Sequence, residues 1–463
     1  MFIQQLYTSC LAEAAYYIES DGQAAIIDPI RETTPYLSLS EQRHARITHI
    51  FETHFHADFI SGHIDLANKT GAKIVYGPDA QTNYPVHNAK DGEEFTIGKL
   101  TIKAIHTPGH TLESTCYLLL DENKNPHCIF TGDTLFVGDV GRPDLLDGSG
   151  ISKEFLAEKM FDSLNTKIKI LPDDVIVYPA HGPGSACGKN IGKETWSTIG
   201  QQKQSNYYLK ETDKTSFIKN LTTGILPPPN YFFEDARINK QGYMPIDEVI
   251  VRNTKPVALE EFKNLVTNGT LILDTRNADD FEKGFVPGSV NIGLNGQYAN
   301  WVGTLIPIQQ PIVLVTENGK EEESILRAAR VGYENIVGYL EGGINTWKNG
   351  GNELDSVSSV DALTFANLLK TGAYIALDVR KPTEYETSHV KDADFVPLSD
   401  IAQYYSKLNK ESSYLVYCGG GYRSMIAASL LKKNGFGKVI NVYGGFGKIK
   451  DCGISLSTPQ SVM

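Results

Sequence analysis

The segment GTLILDTRNADDFEKGFVPGSVNIGL, Gly269 to Leu294, lines up with GAYIALDVRKPTEYETSHVKDADFVPL, Gly372 to Leu398. In each, an apolar run ends in Asp-x-Arg, at Asp274 and Arg276 and again at Asp378 and Arg380, and a helix-forming segment follows. Farther along, VGYENIVGYLEGGINTW matches NGFGKVINVYGGFGKI. A chain that repeats this order is built from two duplicated α/β domains rather than one large one. The copies are expected at about 256–352 and 357–455. With a prior of roughly 150 residues per domain, the 463 residues hold one more, over 1–240.

That first block reads as short strands, turns and occasional helices. AYYIESDGQAAIIDP gives two strands around Asp21-Gly22, a hairpin signal, and ITHIFETHFHADFISGHIDLANKTGAKIVYG gives strand, loop, helix, strand. Pro227 to Pro229 forbid regular structure and suit a rigid connector near its end. Four fragments carry chemistry: THFHAD from Thr53 to Asp58, TPGH ending at His110, FTGDTLF with Asp133, and YPAHGPG with His181. Each follows an apolar, strand-like run, so a loop at the end of a sheet can aim each side chain at a common point. A lone histidine so placed is more often a hydrogen-bonded structural residue, but four such fragments in this order point to a metal site.

The set T-H-x-H-x-D, T-P-G-H, T-G-D-x-L-F and P-A-H-G resembles the metallo-β-lactamase fold, with its αβ/βα layering. Within it, THxHADxxSG and the element Gly141-Arg142-Pro143-Asp144-Leu145 resemble the persulfide dioxygenases. That resemblance implies one iron, Fe(2+), per chain, held by His54, His110 and Asp133. The superfamily's two-metal motif runs H-x-H-x-D-H, and here its last position is Phe59, which has no lone pair to offer. Two histidines and one carboxylate form a facial triad with open positions, which suits non-haem Fe(II) better than two zinc ions. His56, Asp58 and His181 then orient ligands or contact substrate. Arg142 has two readings of equal standing: a fork for a substrate carboxylate or phosphate, or an ion pair with Asp144 or Asp147. Cys187 lies among small residues that would leave a thiol accessible. It reads as a buried inert cysteine or as a persulfide acceptor.

In the last block, YLVYCGGGYRS sets Cys418 directly after an apolar strand, followed by Gly419, Gly420 and Gly421, with Arg423 closing a six-residue loop. Glycines let successive amide N–H groups turn toward the sulfur, which stabilises a thiolate and then a persulfide anion, with Arg423 and the helix N-terminus adding positive potential. With LDVRKPTEYETSH this resembles the rhodanese sulfurtransferases, in which Cys418 would be the nucleophile, Asp378 and Arg380 structural, and His389 the usual G-H histidine. The middle copy reads IVLVTENGKEEES, with Thr316 or Glu317 in the cysteine's place and Glu321 to Glu323 near the arginine's. An acidic loop cannot hold a persulfide anion, so this copy is expected to be catalytically silent, a spacer or docking module.

The whole resembles fusions of a persulfide dioxygenase with a degenerate and an active rhodanese. The resemblance implies oxidation of a thiol persulfide by O2 to sulfite, and sulfur transfer between persulfide, sulfite and thiosulfate in sulfide detoxification. The rivals are a glyoxalase II-like thioester hydrolase with two zinc ions, and a rhodanese pair that serves only as a scaffold. A net charge of −12 disfavours nucleic acid or an anionic membrane surface as partner. No apolar run approaches the roughly 20 residues of a membrane span. The N-terminal segment lacks the basic-then-apolar order of a signal peptide, and the six cysteines lack paired spacings, so a cytoplasmic location is expected. The thiol carrier and the oligomeric state, a homo-oligomer included, stay open.

Overall fold

Glu13–Ser20 and Gln23–Ile27 pair antiparallel through a turn in which Asp21 (φ 51°) and Gly22 (φ 72°) are both left-handed. That is the turn whose twist matches a hairpin, and Asp-Gly adopts it at little cost. In the computed structural model, which describes residues 1–145 and 150–457, this hairpin belongs to the first of two six-stranded sheets. Its strands run in chain order from Phe2–Thr8 to His87–Asn88, and those of the second from Glu94–Ile97 to Ser197–Thr198.

Thr115–Leu120 is buried at every position, which an alternating strand can satisfy only if both faces are covered. Tyr117 and Leu119 pack with Tyr16, Ile27 and Phe51 of the first sheet, whereas Cys116, Leu118 and Leu120 pack with Ala157, Met160 and Phe217 of the helices. On the outer face of the first sheet, Ile74 and Tyr76 carry Ile64 and Ala67 of the helix His63–Thr70. Helix, sheet, sheet and helix therefore stack as the αβ/βα resemblance implies. The proline run is followed by the helix Tyr231–Gln241, and the first compact unit extends to Val249, with Ala328–Gly332 also grouped in it.

The second compact unit holds both repeats. Each is a five-stranded parallel sheet with the same strand order: Pro256–Val257, Ile336–Leu340, Ile312–Val315, Leu271–Asp274, Val290–Asn291 in one, and Ser358–Val360, Val439–Val442, Ser413–Tyr417, Tyr374–Asp378, Asp394–Phe395 in the other. The Asp-x-Arg elements do the same work in both. Arg276 Nη2 lies 2.6 Å from Asp274 and 3.0 Å from the Gly284 carbonyl; Arg380 Nη2 lies 2.6 Å from Asp378 and 2.7 Å from the Ser388 carbonyl. Each buried pair thus ties a strand end to the chain that follows it. Among the described residues, no helix is long and apolar enough to cross a membrane.

Candidate metal centre and sulfur-transfer loop

His54, His110, Asp133 and His181 each follow a strand, after Arg46–Phe51, Leu100–His106, Pro126–Gly132 and Ile176–Pro179. All four are buried. His54, His110 and Asp133 present one ligand atom each within 4.8 Å of one another. His110 Nε2 is 3.4 Å and His54 Nε2 3.9 Å from Asp133 Oδ2.

The imidazole orientations follow from what lies behind them. Asp28, just past the end of Gln23–Ile27, accepts from the Thr53 amide (2.7 Å) and from Thr53 Oγ1 (2.8 Å). Because that hydroxyl donates to Asp28, it accepts from His54 Nδ1 at 3.0 Å, and the Nε2 lone pair of His54 is turned inward. His110 Nδ1 donates to the Arg142 carbonyl at 2.8 Å, which frees its Nε2 in the same way. Gly141 makes that approach possible, since a Cβ there would meet the Asp133 carbonyl oxygen at 2.1 Å and His110 Nδ1 at 2.9 Å. Burial and the neighbouring imidazoles hold His54 well below the usual histidine range, so it is neutral.

His110 Nε2 and both Asp133 oxygens have no hydrogen-bond partner among the described residues. Burying three such atoms unpaired is costly, and two imidazoles with one carboxylate are a good donor set for a divalent ion, so the site fits a metal. Asp28→Ala removes both bonds to Thr53, and metal affinity is expected to fall about 10- to 100-fold, measured by competition with a chelator.

A second group, His56, Asp58 and His181, also lies within 4.8 Å. His181 Nε2 is 3.4 Å from Asp58 and 3.5 Å from Asp133, and its Nδ1 donates to the Ala12 carbonyl. Burial pulls its pKa down, but the two carboxylates outweigh that and the net shift is upward. His56 Nε2 faces Asp28 at 3.2 Å and Glu52 at 3.7 Å. The fully buried Phe59 lies against the His56 ring, centroids 4.3 Å apart. Asn239 braces this loop, donating to the His56 and Phe59 carbonyls and accepting from the Ser61 amide.

Of the two readings open for Arg142, the structure holds the ion pair. Its Nε and Nη2 grip Asp144 at 2.7 and 2.8 Å, Nη2 also donates to the Leu226 carbonyl, and Nη1 donates to the Ala186 carbonyl. A guanidinium so engaged has no free fork for a substrate anion, and Arg142 serves the site through its carbonyl. Asp147 lies outside the described residues. Of the two readings of Cys187, the structure holds the buried one: the residue is 1% exposed. Its small neighbours let the chain close over it, Gly188 lying so near Ile191 and Asp139 that a Cβ would clash. Its sulfur still lies within 4.8 Å of ligand atoms of Asp133 and His181, and burial, then the Asp58 and Asp133 charges, keep it a thiol.

In the last domain, Cys418 follows Ser413–Tyr417, and the Gly421 amide donates to its sulfur at 3.1 Å. The Cys418 and Gly419 carbonyls accept from the Phe446 and Gly447 amides, which turns them away from the loop interior. Arg423 is not an isolated cation: its two terminal nitrogens grip Glu384 at 2.6 and 2.9 Å. Sequence reading missed Glu384, and missed Asp28 and Asn239 as well. His389 stacks on Tyr385 and bonds the Tyr385 carbonyl. In the middle copy, Glu317, Lys320 and Glu323 line a cavity of about 220 Å³ with Thr275, Asn277, Leu294 and Asn295.

The Metallo-beta-lactamase superfamily model matches residues 9–181, and the Rhodanese-like domain model matches 258–350 and 361–452. A probable hydroxyacylglutathione hydrolase of Schizosaccharomyces pombe is 31% identical over 218 residues, 42% of this chain and 80% of that protein. Among solved structures, a metallo-beta-lactamase from Staphylococcus aureus is 34% identical with a TM-score of 0.66, over 73% of this chain and 98% of that one. ETHE1 from Myxococcus xanthus is 28% identical with a TM-score of 0.45, over 52% of this chain and 98% of that one. The chain belongs to the metallo-β-lactamase superfamily, its N-terminal domain of that fold followed by two rhodanese-like domains.

Proposed function

We propose that the first domain is a non-haem iron persulfide dioxygenase and the last a sulfurtransferase that turns its product into thiosulfate. The observation that carries this reading is Phe59, buried against His56 where a further ligand would stand, beside the converging His54, His110 and Asp133. Iron(II) held by those three would have open positions for a persulfide sulfur and O2 and would supply the redox chemistry between them. Overall, RSSH, O2 and water give RSH, sulfite and two protons, the outer sulfur losing the four electrons that O2 takes up. Around that site, Phe59 packs against His56, while His181 Nε2 faces both Asp58 and Asp133.

At Cys418, the thiolate attacks the outer sulfur of thiosulfate, the S–S bond breaks, and sulfite leaves with the bonding pair. To make thiosulfate, the Cys418 thiolate instead takes the outer sulfur of a second RSSH, the S–S bond breaking and RSH leaving with the bonding pair and the proton; sulfite then attacks the Cys418 persulfide, releasing thiosulfate and restoring the thiolate. The Gly421 amide stabilises the charge that stays on the cysteine.

A second reading, a two-metal thioester hydrolase, draws on the compact His56, Asp58 and His181 group and on the S. pombe relative. One preparation distinguishes them, assayed for oxygen uptake on glutathione, cysteine and coenzyme A persulfides and for hydrolysis of S-lactoylglutathione. Uptake with negligible hydrolysis is expected. Hydrolysis without uptake would support the second reading.

A further inference from the structure

We infer that Tyr422 is a positioning residue and that the silent middle domain completes the Cys418 loop through it. Three consecutive glycines leave the stretch Gly419–Gly421 no side chains to pack and a high conformational entropy to lose, so its shape must be imposed from its flanks. At the Cys418 end, the strand and the Phe446 and Gly447 amides do this. At the far end, Gly421 (φ 111°) is followed by Tyr422, the first residue of the helix Tyr422–Lys433.

Tyr422 Oη donates to the Gly293 carbonyl of the middle copy at 2.7 Å. Its ring packs against Gly296, where a Cβ would meet ring carbons at 2.4 to 2.7 Å. The segment it rests on is held from within: Arg327 donates to the Leu294 carbonyl (2.7 Å) and the Gly296 carbonyl (3.2 Å). One chain of contacts thus runs from Arg327, on a helix of the copy that lost its cysteine, to the residue next to the amide that bonds Cys418 Sγ. Two turns farther along the same helix face, Ser429 accepts from the Asn291 amide at 3.0 Å, a second tie between the copies that does not touch the loop.

This inference rests on Cys418 being the nucleophile, and the experiment separates the two claims. Tyr422→Phe, Tyr422→Ala, Gly296→Ala, Ser429→Ala and Cys418→Ser are made in the full chain. They are compared in cyanide-coupled thiosulfate sulfurtransfer, melting temperature and the pH dependence of iodoacetamide alkylation at the Cys418 peptide. Tyr422→Ala and Gly296→Ala are expected to lower kcat about tenfold with KM within twofold, and to move the alkylation midpoint to higher pH. Tyr422→Phe, which keeps the ring, should recover most of that loss. Ser429→Ala should lower the melting temperature while kcat and the alkylation profile stay at wild type. If Ser429→Ala lowers kcat and shifts alkylation as Tyr422→Ala does, the effect is general loosening of the two copies and the inference is wrong. It is equally wrong if the Tyr422 and Gly296 variants match wild type while Cys418→Ser is inactive. Retained activity in Cys418→Ser would instead overturn the assignment of the nucleophile itself.

Discussion

Cys418→Ser in the full chain is expected to lower thiosulfate sulfurtransfer by roughly 10³-fold or more, because a serine hydroxyl is far less ionised and less nucleophilic than the thiolate it replaces. None of the other five cysteines offers a substitute. Cys116, Cys128 and Cys187 are buried with thiol pKa values pushed up by burial, and neither Cys10 nor Cys452 is followed by a run of glycines. Oxygen uptake on a thiol persulfide should stay within about twofold of wild type, since the metal-site residues belong to the other compact unit. What should change is the product. Linkage raises the effective concentration of sulfite at Cys418 to about the millimolar range when the sites can meet, so wild type should release mainly thiosulfate. The variant should release mainly sulfite. An unchanged ratio, after correction for the spontaneous reaction of sulfite with persulfide, would mean that the two activities are not coupled.

His110→Ala is expected to have the opposite pattern. It removes one of three converging ligand atoms and leaves the Arg142 carbonyl without its donor, so both the metal and the Gly141-Arg142 turn lose a support. Metal content should fall to background and oxygen uptake by roughly 10³-fold or more, with sulfur transfer from thiosulfate retained within about twofold. Elemental analysis read beside both assays checks this. Oxygen uptake that survives in a protein free of iron would remove His110 from the ligand set.

What the sequence made legible was whatever local spacing encodes. The ligand candidates could be read because each sits one to four residues beyond a strand, and that is how strand ends at one edge of a sheet bring distant residues together. The duplication could be read because Asp274-Arg276 and Asp378-Arg380 close their own strands locally. Residues whose role depends on packing were out of reach. Asp28 also ends an apolar run and carried the same signal as Asp133, but without a neighbouring motif it reads as a turn residue before Pro29. Glu384 and Arg423 are far apart in the chain, and nothing in either segment says that they pair. Cys187 shows the converse: small neighbours permit exposure or close packing equally, and only the closure of Gly188 onto Ile191 and Asp139 decides between them. The contact of Tyr422 with Gly293 and Gly296 needed two copies docked face to face, and the repeat alone did not specify that docking.

The central claim is that one iron, and not two zinc ions, makes the first domain a dioxygenase of persulfide sulfur. It is tested most directly by adding Fe(II) anaerobically in small increments to metal-free protein, then measuring oxygen consumed and sulfite plus thiosulfate formed from glutathione persulfide. The account predicts that activity rises linearly and breaks at one equivalent of iron per chain, with one O2 consumed for each sulfur oxidised. No oxygen consumption at any iron loading, together with thioester hydrolysis that rises to a break at two equivalents of zinc, would contradict it.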